Sequence, residues 1–188
     1  MGFRRRRFGR LFAQSRRVPR PLATKVIRDL RRAHQLKEQG NHLEAAAIFE
    51  QLAGKARLQS RPQYPQLLLQ AGRSHIQGGD PEKGAGQIKT ALGVMVEVGR
   101  LESIARLQPG LRALFMEYEL GSSWQDIQTF IQQLGIGSQT RLSKELKLPS
   151  KCPYCGASLV PGELDEISSS AAVCGYCGST VQAGESNP

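Results

Sequence analysis

The four cysteines of this 188-residue chain fall in two pairs of identical spacing, Cys152-Pro153-Tyr154-Cys155-Gly156 and Cys174-Gly175-Tyr176-Cys177-Gly178. A two-residue gap lets both sulfurs of a pair reach one ion at about 2.3 Å, and the glycine after each second cysteine permits a tight backbone turn behind it. With no secretory signal peptide, the thiols are expected to stay reduced in a cytosol, where such pairs favour a metal over disulfides. Four thiolates close a tetrahedron and leave no position for water. The expected cofactor is therefore one structural Zn2+ held by Cys152, Cys155, Cys174 and Cys177. Iron in a rubredoxin-like site would use the same ligands. A redox CxxC would need an α/β unit that the sequence does not show. The three histidines, His34, His42 and His75, lie far away on helical segments and read as ordinary helix residues.

The elements around these cysteines are small. Residues 152 to 183 offer only Leu159, Val160, Leu164, Ile167, Val173 and Val181 as substantial aliphatics, too few for a core that stands alone. Metal binding, on the order of 10 to 16 kcal/mol in small zinc peptides, would supply the missing folding free energy. Strands are expected near 158–160, 171–173 and 179–182, with Pro161-Gly162 as a turn. Two knuckles flanking such strands resemble the zinc-ribbon family. Zinc ribbons often contact nucleic acid, but residues 152 to 188 carry Glu163, Asp165, Glu166 and Glu185 and no Lys or Arg. Such a field repels phosphate and favours protein contacts.

From Ala23 to about Gly135 the chain is rich in Leu, Ala, Gln, Glu and Lys, which predicts five or six helices. Breaks fall at Gly40-Asn41, Arg61-Pro62, Gly78 to Pro81, Gly99 and Gly121 to Ser123. Asn41 with Glu44, Asp80 with Pro81, and Ser123 with Asp126 are expected helix starts. Pro109-Gly110 predicts that the helix containing it is broken or begins late. Ala33, Leu36, Gly40, Ala45, Phe49 and Leu52 recur 39 residues later as Gly72, His75, Gly79, Gly84, Ile88 and Ala91. The pattern puts small residues where two helices cross and a glycine in the turn between them. It resembles the tetratricopeptide repeat, with about five residues beyond that family's period of 34 falling around Gln59 to Tyr64. A third pair, Leu101 to Leu120 and Trp124 to Leu134, has Asp126 at the crossing and reads as a degenerate or capping repeat. The resemblance implies a groove for a protein or peptide, lined by the first helix of each hairpin and including Gln35, Gln39, Gln70 and Arg73. The same residues also fit a plain solvated face.

The formal charge of +10 is unevenly distributed. Residues 1 to 32 hold 12 Lys and Arg against Asp29, and the remainder of the chain is close to neutral. Arg4, Arg5, Arg6, Arg7, Arg10, Arg16, Arg17 and Arg20 form an arm that reads as disordered. The arm suits nonspecific nucleic acid or an anionic membrane surface, and equally a solubilising tail. Twin-arginine export and myristoylation do not fit its residues, whereas a mitochondrial presequence shares its composition. No phosphate loop, nucleophile elbow or metalloprotease helix is present. Gly135-Ile136-Gly137 lacks the rest of a dinucleotide fingerprint.

The expected fold is an all-α, TPR-like helical-hairpin domain plus a small β zinc ribbon. Its parts are a basic arm at 1–22, helices over 23–135, a linker at 136–151, the ribbon at 152–183 and a disordered tail at 184–188. The expected role is a non-enzymatic cytoplasmic adaptor with a protein or peptide partner and no small-molecule substrate. The competing readings are nucleic-acid binding or membrane-surface association through the arm.

Overall fold

A computed structural model describes residues 24–134, 148–160, 164–168 and 170–182. The arginine arm, most of the expected linker, the Pro161-Gly162 turn and the C-terminal tail lie outside these residues. The described chain is mostly helical, with six helices and a small sheet beside the cysteines. The helices are α1 (Thr24–Glu38), α2 (His42–Leu58), α3 (Tyr64–Gln77), α4 (Pro81–Glu97), α5 (Leu101–Glu117) and α6 (Gly121–Gln133).

The hairpins close because small residues stand where the helices cross. A Cβ on Gly72 would lie 2.7 Å from the Gly84 carbonyl oxygen, and one on Gly84 would lie 2.6 Å from that of Gly72. The backbones of α3 and α4 therefore touch, and no other residue fits at either position. In the first hairpin the corresponding Ala33 and Ala45 are fully buried. A half-buried polar knot joins the hairpins. Glu50 of α2 accepts from His75 Nε2 of α3 at 3.0 Å and from Gln87 Nε2 of α4, and pairs with Lys83 Nζ at 2.8 Å. Burial raises the Glu50 pKa, but the hydrogen bonds from Lys83, Gln87 and His75 outweigh it and hold the carboxyl below its ordinary value.

A finer regularity runs through the stack. Gly40, Ser60, Gly79, Gly99 and Glu119 all have positive φ, and the residue after each donates its N–H to a carbonyl five positions back at 2.8 to 2.9 Å. Each helix from α1 to α5 thus ends in the same left-handed turn. Three of these positions are glycines, which carry no penalty there. Ser60 and Glu119 adopt the same conformation with a side chain.

Three local expectations are corrected. α6 begins at Gly121 with Leu120 before it, so Ser123 does not cap it. Asn41 precedes α2 as expected but its side chain makes no capping bond, whereas Asp80 accepts from the Lys83 N–H at 3.4 Å. Helix α5 runs unbroken through Pro109. Pro109 and Gly110 face solvent, while Ile104, Leu107, Leu111 and Phe115 are buried on the other side and hold the helix through the lost hydrogen bond.

The sheet has strands β1 (Asp165–Ser168), β2 (Ala171–Val173) and β3 (Thr180–Gln182) in that order, both pairs antiparallel. The strand expected at 158–160 is only a single bridge, Lys151 to Ser158. Its place is taken by β1, whose acidic and polar residues resemble no good strand former but suit a short edge.

Two cores result. One contains Leu69, Ile76, Ile88, Leu92, Met95, Phe115, Trp124 and Ile131 and belongs wholly to α3 to α6. The other joins Leu30, Phe49, Leu52 and Leu67 of α1 to α3 with all four cysteines, Leu159, Leu164, Tyr176 and Val181. The cysteine segment is packed against the first hairpins, and Leu148 lies against the same core.

Candidate metal centre

The two CxxC segments fold as copies of one another. In the first, Gly156 N–H donates to the Cys152 carbonyl at 2.9 Å and Cys152 N–H donates to the Ala157 carbonyl at 2.8 Å. In the second, Gly178 N–H donates to Cys174 at 2.8 Å and Cys174 N–H to Ser179 at 2.9 Å. Gly156 and Gly178 have φ of 74° and 72°, the left-handed turn that favours glycine after the second cysteine.

These turns bring all four sulfurs together. Cys152 Sγ lies 3.8 Å from Cys177 Sγ, Cys155 Sγ lies 3.7 Å from Cys174 Sγ, and all four are within 4.8 Å of one another. A disulfide would need about 2.05 Å, so the cysteines are free. A regular tetrahedron around an ion with 2.3 Å metal–sulfur bonds has edges of about 3.8 Å, which matches the observed separations. All four residues are at most 2% exposed. The chemistry of the donors points the same way. Hydrogen bonds from Cys152, Cys174 and Cys177, with burial, push the Cys155 thiol far above its ordinary value. Those from Cys152, Cys155 and Cys174 hold Cys177 far below it. Four sulfurs this close cannot share negative charge without a cation among them. Their arrangement suits a structural metal ion.

The helices grip both turns. The Arg31 guanidinium of α1 donates to the Tyr154 carbonyl, and to that of Pro153 at 3.2 Å, both inside the first CxxC. Tyr176, inside the second, is buried, with its ring edge-on to His34 at 5.5 Å and its hydroxyl accepting from Gln70 Nε2 at 2.6 Å. Lys37 Nζ donates to the other end of that amide, Gln70 Oε1, at 3.3 Å. A Cβ on Gly175 would lie 3.1 Å from the Gln66 side chain, so α3 approaches the second turn closely. Lys151 Nζ pairs with Glu38 at 2.6 Å on the exposed rim. His34 also packs edge-on against Phe49 at 5.1 Å. Burial, followed by the neighbouring charge of Lys37, lowers its pKa to about 4, so it is neutral in the fold.

Of the residues expected to line a partner groove, Gln35 and Gln39 are exposed and Arg73 is half-buried. Gln70 is 5% exposed and engaged by Tyr176. The expected phosphate-binding arginines, Arg4 to Arg20, lie outside the described residues. Sequence reasoning missed Arg31, His34, Gln66 and Tyr176 as an interface. The one available signal was an aromatic residue inside each CxxC, which has no role in ligation. Among the described residues no helix is long and apolar enough to cross a membrane. Comparison of the chain with protein-family models, with curated proteins and with solved structures returns no match.

Proposed function

We propose that the protein is a non-enzymatic protein-interaction adaptor. In this reading a TPR-like helical stack carries a zinc ribbon whose metal, one Zn2+ on Cys152, Cys155, Cys174 and Cys177, is structural. The observation that carries it is the closed ring of four buried sulfurs: every ligand position of a tetrahedral ion is filled by protein, which leaves no place for a substrate or an activated water. The paired small residues at the helix crossings, Ala33 with Ala45 and Gly72 with Gly84, support the repeat reading. Elemental analysis of the purified chain tests the metal half, with one zinc per chain expected and none in Cys174→Ser. The adaptor half is tested by protein capture at raised salt with nuclease present. A partner that persists when the chain begins at Thr24 supports it, and capture that disappears with nuclease or with the arm overturns it.

A second reading has its own observation. Lys25, Arg28 and Arg32 are exposed along α1 and extend the positive charge of the arginine arm into the folded chain. Such a surface suits the phosphates of nucleic acid or of an anionic membrane. Anisotropy of labelled RNA, DNA and anionic vesicles over a salt series tests it, with binding expected to fall steeply with salt and to be lost in the chain that begins at Thr24.

A further inference from the structure

The second CxxC turn is seated on the helices as a ligand is seated in a receptor. Its Tyr176 ring enters a slot between α1 and α3, edge-on to His34, and its hydroxyl meets the Gln70 amide that Lys37 holds from the other side. Gly175 allows the turn to approach Gln66 without a side chain in the way. The slot suits a phenol, since the His34 ring meets the aromatic ring edge-on and the Gln70 amide meets its oxygen. The segment that fills it has too few aliphatic residues to hold its fold unaided. The α3 to α6 part of the stack has no such dependence, because its core, from Leu69 to Ile131, contains nothing from the cysteine segment, whereas α1 and α2 share their core with that segment.

We propose that the α1/α3 face is a binding surface for a tyrosine-bearing turn, filled in cis by the chain's own Cys174–Cys177 turn while the metal keeps that turn folded, and open to a tyrosine-bearing segment of a partner protein once the metal leaves. The inference rests on the four-cysteine metal reading. Covering the face and retaining the metal are two sides of one equilibrium, so each strengthens the other by the same factor.

The test uses the full chain, first loaded with zinc and then stripped with a chelator. The probe is a labelled peptide spanning residues 148–182 loaded with its own zinc, so that its turn is folded, and the metal-free receptor in this arm is the Cys174→Ser chain, which cannot take that zinc up. Stripping is expected to speed amide exchange at least tenfold over the ribbon-facing turns of α1 and α3, to leave α4 to α6 unchanged and to leave the emission of Trp124, the single tryptophan, unshifted. The peptide is expected to bind the metal-free chain at least tenfold more tightly than the zinc-loaded one, and to lose that binding when the peptide carries Tyr176→Ala. A stripped chain with α1 and α3 still protected, equal peptide binding in both states, or a shift of Trp124 emission that reports general unfolding overturns the proposal. Absence of metal from the purified chain overturns the metal reading as well, whereas one zinc per chain with an indifferent α1/α3 face overturns this inference alone. The Arg31→Ala, Gln70→Ala double variant keeps all four thiolates. It is expected to uncover the face with zinc still bound, and unchanged protection there counts equally against the proposal.

Discussion

His34 shows how much one residue is asked to do at the seam between the helices and the cysteine segment. Its ring packs edge-on against both Phe49 and Tyr176, and Lys37, Glu38, Lys151 and Cys177 are the charged or ionisable groups that bear on it. The unfolded chain takes up a proton near the ordinary histidine value of 6.5, while the folded chain resists until about 4. The unfolded state therefore binds more protons between these values. Stability is fully present above pH 6.5, falls through that window by up to about 3 kcal/mol and is flat in this respect below it. Urea unfolding of the native chain and of His34→Gln across pH 4 to 7 checks this, and the variant is expected to lose the slope. The rim pair of Lys151 with Glu38 is half-exposed on both sides. Glu38→Gln is expected to change the unfolding free energy from urea titration by less than about 0.5 kcal/mol, since exposed pairs contribute little.

At the scale of elements, the ends of the helices set the register of the stack. Glu119 carries a side chain in a conformation that L-residues disfavour, at the point where Gly40, Gly79 and Gly99 have none. Glu119→Gly is expected to raise the stability of the α5–α6 hairpin by roughly 1 kcal/mol, seen as a higher midpoint in thermal unfolding followed by Trp124. The reverse change, Gly84→Ala, drives a Cβ into the Gly72 carbonyl and is expected to cost about 1 to 3 kcal/mol by separating α3 from α4. These crossings were legible in the sequence because a small residue at fixed spacing has a direct steric meaning. The sulfur ring was legible for a similar reason, since ligand spacing within each CxxC constrains geometry locally. Pro109 and Asp165 to Ser168 were not. Their local propensities point away from helix and strand; the buried face of Ile104, Leu107, Leu111 and Phe115 overrides this for Pro109, and pairing with β2 does so for β1. The seam of Arg31, His34, Gln66 and Gln70 against the cysteine turns was hidden too, because its partners are more than a hundred positions apart and no local pattern encodes which face meets which.

At the scale of the whole molecule, charge and packing are distributed differently. Charge is concentrated before residue 33, and the cysteine segment packs on the first helix, whose Lys25, Arg28, Arg31 and Arg32 belong to that basic stretch. The Lys151–Glu38 pair and the Arg31 bonds to the Tyr154 and Pro153 carbonyls are expected to support the docked arrangement. Raising salt from 50 mM to 500 mM is therefore expected to increase amide exchange modestly at the α1 seam and to leave α4 to α6 unaffected, because their core shares no residue with the cysteine segment. The ordering of the two cores along the chain has a further result. Arg31 and its acceptor in Tyr154 are separated by 123 positions, and Gln70 and Tyr176 by 106. On a ribosome adding about 5 to 20 residues per second, α1 waits for something like 6 to 25 seconds before the segment that covers it is made. The first helices to be made are thus the last to be finished, and a released chain that ends before Lys151 is expected to be cut by protease first within α1 while α4 to α6 already resist.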